Sequence, residues 1–321
     1  MKLEVKDVRQ EPLALPAGFE WSTIDLANDE QAQEVYQLLR DNYVEDSEST
    51  FRFDYPVEFL RWALCIPGHI QDWHVGVRVS STKKLYGFIS AIPVKTMIKT
   101  REIKMAEVNY LCVHKKLRTK RLAPVLIKEI TRRVNLTGVW QAIYTAGVVV
   151  PKPIATANYW HRSLNPKKLV EVGFSSLPSG TPMARYQKLL KLPKLQDINI
   201  IGEIREMNEK DVKQVQKLLQ NYLNKFEVRL KFSEQEVKHM FLSAPTVVYA
   251  FVVENKEKKQ ITDLISFYNL PSTILKKGGH EHEKVKVRSI ISNFYIGCIF
   301  LVQCCNRQYL RRSDEVCSSQ G

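Results

Sequence analysis

The stretch EVNYLCVHKKLRTKRLAPVLIKEI, Glu107–Ile130, decides the fold of this chain. It begins with an apolar run, Val108–Val113, which predicts a β-strand whose alternate residues point to opposite faces. On that pattern Val108, Tyr110 and Cys112 share one face, and Asn109, Leu111 and Val113 share the other. The strand leads directly into a strongly basic segment.

That segment, HKKLRTKRLA from His114 to Ala123, is predicted to be a loop. Pro124 follows it, and the fixed φ of proline suits a first helical position. The next residues predict a helix over Pro124–Val134. Its apolar stripe has helical spacing and consists of Leu126, Ile127, Ile130 and Val134.

The order strand, basic loop and helix places positive charge where a helix begins. The first turn of a helix leaves backbone N–H groups unpaired and carries partial positive charge. With Arg118, Lys120 and Arg121 added, the segment has the character of a site for a pyrophosphate or a similar dianionic group. A solvated basic loop is the alternative that these residues leave open.

Bulk composition agrees with a two-domain protein that has an anionic partner. A length of 321 residues favours two domains, and 44% hydrophobic residues allow each of them a core. The net charge of +14 suggests nucleic acid, a membrane surface or a phosphorylated small molecule as a partner. Because Lys and Arg are scattered over both halves, we expect no nucleic-acid partner.

The cysteine spacing and the chain ends give further expectations. The six cysteines include no CxxC pair, so we expect no metal site. No signal peptide is recognisable, which favours a cytoplasmic location. The longest apolar run, Ile290–Val302, is too short to span a bilayer, so we expect no transmembrane segment.

Three pairs of segments indicate an internal duplication. Residues 35–43 (VYQLLRDNY) match 215–222, residues 58–64 (EFLRWAL) match 236–242, and residues 85–93 (LYGFISAIP) match 261–271. The matches occur in one order at nearly constant spacing, which is the signature of a repeat. The predicted organisation is a lead-in (1–20), a first half (21–195), an incomplete second half (196–296) and a divergent tail (297–321).

Local periodicity predicts the elements of the first half. Helices are predicted over Asp29–Asn42 and Val57–Leu64, and a buried strand over Ala142–Val150. Two further strands are predicted over Asp72–Ser80 and Leu85–Ile92.

Several longer strings resemble the N-myristoyltransferase (glycylpeptide N-tetradecanoyltransferase) family. They are EVNYLCVHKKLRTKRLAPVLIKEITRRVN, YTAGVVVPKP, NYWHRSLNPKKL, RDNYVED followed by FRFDY, and LISFYNLPSTI, within residues 8–275. The resemblance implies a mixed α/β (α+β) fold of tandem GNAT-like acyl-CoA N-acyltransferase halves, in agreement with the duplication. It implies that a monomer transfers a myristoyl group from the co-substrate myristoyl-CoA, with no prosthetic group. The acceptor is the N-terminal glycine amine of peptides and nascent proteins.

The resemblance also implies roles for individual residues. The backbone N–H groups of Tyr110 and Leu111 are the expected catalytic groups, because fixed amide dipoles stabilise an oxyanion. The expected acyl-CoA residues are Tyr110, Leu111, Cys112, Val113, Arg118, Thr119, Lys120, Arg121, Leu122 and Ala123.

The peptide substrate is expected to contact a second set of residues. Glu45 and Asp46 would meet a basic residue early in the peptide, although a solvated acidic loop is the alternative. Tyr159 and His161 also fit a packed aromatic corner. The whole set comprises Tyr43, Val44, Glu45, Asp46, Asn109, Thr145, Gly147, Tyr159, His161, Tyr268 and Ser272.

Both ends of the sequence depart from the family pattern. The acyl-CoA-holding segment that the family has ahead of Arg9 is absent, and resemblance ends near Tyr295. The family's catalytic base, a carboxylate at the C-terminus, therefore has no recognisable counterpart. We expect reduced or no activity in this form, and the alternative is a non-catalytic acyl-CoA or peptide binder.

Overall fold

The computed structural model describes residues 4–46, 48–147, 151–156, 160–194, 202–276, 279 and 281–293. The α-helices are α1 (Asp29–Asn42), α2 (Val57–Leu64), α3 (Leu122–Leu136), α4 (Pro166–Glu171), α5 (Met183–Leu189), α6 (Val212–Leu223) and α7 (Glu234–Leu242). The strands are β1 (Phe19–Thr23), β2 (Phe51–Phe53), β3 (His74–Val79), β4 (Leu85–Ile98), β5 (Arg101–Val113), β6 (Gln141–Tyr144), β7 (Glu203–Glu206), β8 (Val228–Leu230), β9 (Val248–Asn255), β10 (Gln260–Ile274) and β11 (Lys284–Asn293). The bounds of α1 and α2 are those predicted.

The first sheet has the order β1-β3-β4-β5-β6 and carries a core on each face. On one face α1 and α2 pack against Phe88 and Tyr110. On the other face α3 packs against β3 and β4. Gly87 allows α3 to lie close to the sheet, because a Cβ at that position would come within 3.2 Å of the Leu126 side chain.

The helix α3 begins two residues earlier than predicted. Arg121 precedes it in a left-handed conformation with φ 55°, and the segment Lys115–Lys120, predicted to be a loop, forms a 3₁₀-helix. Pro124 is therefore the third helical residue. Proline is tolerated at this position because the N–H groups of the first helical turn have no intrahelical acceptor, so the missing N–H breaks no hydrogen bond.

The predicted buried strand over Ala142–Val150 is wrong in burial and in extent. β6 begins at Gln141, ends at Tyr144 and is largely exposed. It lies at the edge of the first sheet, where it pairs in parallel with β5. Residues 148–150 lie outside the described residues.

The strands β4 and β5 extend well beyond their predicted bounds of Leu85–Ile92 and Val108–Val113. They form a long hairpin in which Ile98 pairs with Arg101. The added length brings the end of β4 to the second half of the chain, where it pairs with β8.

The second sheet has the order β11-β10-β9-β7, with α6 and α7 packed against it. The two halves exchange one short strand each. β2 of the first half pairs with β10, and β8 of the second half pairs with β4. This reciprocal exchange supports the predicted duplication.

The predicted domain boundaries remain predictions. The exchanged strands place part of each half in the other half's sheet, so a division by sequence does not divide the sheets. Residues 195–201 and the predicted tail 297–321 lie outside the described residues.

Candidate functional site

A β-bulge interrupts the pairing of β4 and β5 within the stretch Glu107–Ile130. Phe88 pairs with Cys112, and Ser90 pairs with Asn109, so Tyr110 and Leu111 together lie opposite Ile89. The φ of Tyr110 is 58°, a left-handed conformation that is uncommon for a residue other than glycine. Such strain costs on the order of 1–3 kcal/mol and persists only where the surroundings enforce it.

The bulge corrects the predicted faces of the strand. Val108 packs with Leu111 and Val113 on the side of α3, whereas Tyr110 and Cys112 pack on the opposite side. The extra residue shifts the alternation by one position. Val108 and Tyr110 therefore lie on opposite faces, contrary to the prediction that they share one.

Aromatic side chains hold Tyr110 in its conformation. Its ring centroid lies 5.2 Å from that of Tyr55, edge-on at 89°, and 6.0 Å from that of Tyr43. Burial raises the pKa of Tyr110 well above its usual value, so the hydroxyl is neutral. Burial also raises the pKa of Tyr43 to about 12, and a hydrogen bond from the Tyr110 backbone offsets part of that rise.

A cavity of about 360 Å³ adjoins the bulge. It brings together seven of the predicted residues from the segment after α1, from β5, from the 3₁₀-helix and from the start of α3, with apolar side chains predominating. Its lining consists of Asn42, Tyr43, Val44, Leu111, Cys112, Val113, Arg118 and Ala123.

Asn42 is the lining residue that sequence reasoning missed. Its side chain donates to the Leu38 carbonyl and accepts from the Lys115 N–H at 2.9 Å. Its own carbonyl accepts from Arg118 at 2.7 Å. Asn42 therefore joins the end of α1 to the basic segment. The sequence signal that could have identified Asn42 is its place as a polar residue at the end of the apolar face of a helix.

The thiol of Cys112 is poorly suited to chemistry. It is 3% exposed, and burial raises its pKa to about 12. Because the thiolate is the nucleophilic form, this cysteine is a wall of the cavity and not an acyl acceptor.

Tyr110 does not line the cavity, and the other nine predicted acyl-CoA residues divide into three groups. Leu111, Cys112, Val113, Arg118 and Ala123 line the cavity. Thr119, Lys120 and Arg121 are exposed beside it, whereas Leu122 is buried in the core between α3 and the sheet.

The two predicted acidic residues are already engaged within the protein. Glu45 forms salt bridges with Arg52 at 2.5 Å and Lys115 at 2.8 Å. Lys115 and Arg52 lower its pKa to about 2. Asp46 accepts hydrogen bonds from the N–H groups of Thr50 and Phe51. A peptide cation at this place would have to share these carboxylates.

The remaining peptide-side residues lie around β2, β10 and the end of β5. Tyr268 packs against Phe59 and Trp62, and Ser272 pairs with Phe53 across the exchanged strand. His161 lies edge-on to Phe174, and desolvation lowers its pKa.

Three further predicted residues lie within β5 or after β6. Asn109 lies within β5, and its side chain donates to Glu107. Thr145 and Gly147 are exposed after β6. None of the three lines the cavity, and Tyr159 lies outside the described residues.

Two features are absent from the described part of the chain, a metal-binding cluster and a membrane-spanning helix. That part of the chain contains no group of three or more His, Cys, Asp or Glu residues arranged to hold a metal ion. It also contains no helix that combines the length and apolar character needed to cross a membrane.

Two family models match this chain one after the other. Residues 1–157 match the family model of the myristoyl-CoA:protein N-myristoyltransferase N-terminal domain, and residues 171–294 match that of the C-terminal domain. Glycylpeptide N-tetradecanoyltransferase 1 of Arabidopsis thaliana is 54% identical over 271 residues, which cover 84% of this chain and 62% of the relative. Glycylpeptide N-tetradecanoyltransferase 2 of Bos taurus is 54% identical over 284 residues, covering 88% of this chain and 56% of the relative.

The fold comparison gives the same family. A crystal structure of Saccharomyces cerevisiae N-myristoyltransferase with bound myristoyl-CoA superposes with a TM-score of 0.85 at 42% identity. The match covers 91% of this chain and 66% of that one. The chain spans less than two thirds of the length of the Arabidopsis and Bos relatives. It belongs to the N-myristoyltransferase family.

Proposed function

We propose that the protein transfers a myristoyl group from myristoyl-CoA to the N-terminal glycine amine of a protein. The observation that carries the proposal is the cavity formed by the strained bulge at Tyr110 and the basic start of α3. Family membership names the reaction, and the bulge supplies groups that suit it.

The bulge suits the stabilisation of an oxyanion. The glycine nitrogen forms a bond to the thioester carbonyl carbon, and negative charge develops on the carbonyl oxygen. The N–H groups of Tyr110 and Leu111 would donate to that oxygen, and one such donor contributes about 3–4 kcal/mol. When the intermediate collapses, the C–S bond breaks, an amide forms and CoA leaves as a thiol with a proton from the amine.

The basic segment suits the phosphates of the coenzyme. Arg118 lines the cavity, while Lys120 and Arg121 are exposed beside it at the start of α3. Guanidinium groups and unpaired helix N–H groups both bind phosphate oxygens. The apolar walls at Leu111, Cys112 and Val113 suit an acyl chain.

The acceptor peptide would enter along the elements that carry Tyr43, Glu45, Tyr268 and Ser272. Tyr43 lines the cavity and packs near the ring of Tyr110, which supports a position for it between the two proposed substrates. We further propose that the protein acts on nascent proteins as a cytoplasmic monomer.

A transfer assay tests the proposal. The chain is mixed with myristoyl-CoA and a peptide that begins with glycine, and mass spectrometry follows the acylated product. The matched control peptide begins with proline, whose secondary amine lies in a ring. Product from the glycine peptide alone supports the proposal. Tight binding of myristoyl-CoA without product would replace it with the alternative of a non-catalytic binder.

A further inference from the structure

The outer face of the sheet where β8 joins β4 and β5 carries a dense group of basic side chains. Lys95 pairs directly with Lys104 across β4 and β5. On the other side of β4, the Lys231 N–H donates to the Lys95 carbonyl at 2.8 Å. The next row contains Glu102, Met97 and Arg229. We name this surface, made of Lys95, Met97, Glu102, Lys104, Arg229 and Lys231, the lysine face.

The lysine face carries excess positive charge at close range. Neighbouring strands lie about 4.8 Å apart, so the three lysines form a row across three chain segments. Like charges directly opposite each other in a sheet are destabilising. Glu102 is the acidic member of the face, and it bonds to Lys231 at 2.6 Å. Within the described residues, Lys95 and Lys104 form no salt bridge, and both are exposed.

The equivalent junction in the other half pairs two of its basic side chains with acidic partners. There β2 joins β10 as β8 joins β4, and Arg52 takes the position of Arg229. Arg52 is paired with Glu45, and Lys284 is paired with the buried Asp54. The same backbone arrangement therefore allows charge compensation, which within the lysine face reaches only Lys231, through Glu102.

We propose that the lysine face binds an acidic segment of a partner polypeptide. Glu102 shows that a carboxylate fits beside Lys231, and the exposed ammonium groups of Lys95 and Lys104 would accept further carboxylates. The face includes no aromatic side chain, whereas surfaces for single-stranded nucleic acid combine cations with stacking rings. This inference does not depend on the proposed acyl transfer.

A binding experiment with the full chain tests the proposal. The probe is a short fluorescent poly-glutamate peptide with an acetylated N-terminus, so that it has no amine to be acylated. Fluorescence anisotropy is measured at low and high salt. Charge reversal at both exposed lysines, Lys95→Glu with Lys104→Glu, is expected to weaken binding about tenfold or more at low salt. That variant still has like charges at the two paired positions, so charge repulsion destabilises the strand pairing about as much as in the native protein.

A matched control changes the net charge equally at another place. Lys213→Glu with Lys217→Glu alters two exposed lysines of α6 and is expected to change binding by less than about twofold. Thermal unfolding checks that each variant is folded. If the Lys95→Glu and Lys104→Glu variant does not fold, Lys95→Gln with Lys104→Gln replaces it as the test variant. Equal losses in test and control variants would overturn the proposal. The native chain is also tested with an oligouridine RNA and with phosphatidylserine vesicles. If either binds more tightly than the poly-glutamate peptide, and the test variant loses that binding, the choice of a polypeptide partner is overturned.

Discussion

The two places where the halves exchange a strand share a backbone arrangement but differ in their side chains. Where β2 joins β10, Leu275 donates to Thr50 at 2.8 Å; where β8 joins β4, Lys99 donates to Glu227 at 2.6 Å. The hydrogen bond from Asp54 to Pro271 likewise corresponds to the one from Lys231 to Lys95.

The side chains at corresponding positions have opposite charge and opposite exposure. Asp54 is completely buried and pairs with Lys284. Lys231, its counterpart, is exposed and pairs with Glu102. Backbone pairing therefore preserves the duplicated frame, while side-chain identity determines whether a junction is a buried anchor or an open charged surface.

The largest expected effect concerns Tyr110, which packs on the aromatic residues that follow the β2 junction. Tyr110→Ala removes a buried ring and should lower the free energy of unfolding by about 3–4 kcal/mol. Tyr110→Phe keeps the ring and should change it by less than about 1 kcal/mol. Urea unfolding measures both. A loss below about 1 kcal/mol for the alanine variant would show that the bulge does not need this ring.

The next effect separates the two junctions directly. Asp54→Ala removes a buried carboxylate from its half-exposed partner Lys284 and leaves a buried polar site, which should cost about 2 kcal/mol of unfolding free energy. Lys231→Ala breaks an exposed pair and should cost less than about 1 kcal/mol. Chemical denaturation of both variants provides the comparison. Similar losses would mean that burial does not distinguish the junctions.

A third prediction contrasts basic residues of the two halves. Arg118→Glu with Arg121→Glu places negative charge at the proposed phosphate site and should weaken CoA binding by about ten- to a hundredfold. Lys256→Glu with Lys258→Glu, between β9 and β10, should change it by less than about twofold. Isothermal titration with CoA measures both. Equal losses would move the phosphate site away from the start of α3.

The smallest effect concerns the pH dependence of the β2 junction. Lys115 and Arg52 lower the pKa of Glu45 to about 2, whereas the unfolded value is near 4.3. The contribution of Glu45 is therefore complete above about pH 4.3 and is lost as the pH falls toward 2. Glu45→Gln should lower the free energy of unfolding by about 1 kcal/mol at neutral pH and leave it unchanged near pH 2.

Thermal unfolding across this pH range tests the prediction, with Glu257→Gln as an exposed control. A difference between wild type and Glu45→Gln that stays constant down to pH 2 would contradict the assigned ion pair.

Much of the candidate site follows from local patterns. Alternation and charge place a strand at Val108–Val113 and a basic segment ahead of an apolar-striped helix. Asn42 escaped this reasoning because its importance lies in contacts with Lys115 and Arg118, more than 70 residues away in sequence. The bulge escaped it as well, since the sequence contains no glycine at the left-handed position that Tyr110 occupies.

The sequence by itself determined the duplicated frame, the helices at Asp29–Asn42 and Val57–Leu64, and the family. These features depend on periodicity and on residue identity over short ranges. Only the tertiary structure decided the strand exchange, the shifted face of Val108 and the burial of Glu129 between Arg132 and Arg133. Register, strain and charge pairing depend on which distant segments meet, and a linear pattern does not contain that information.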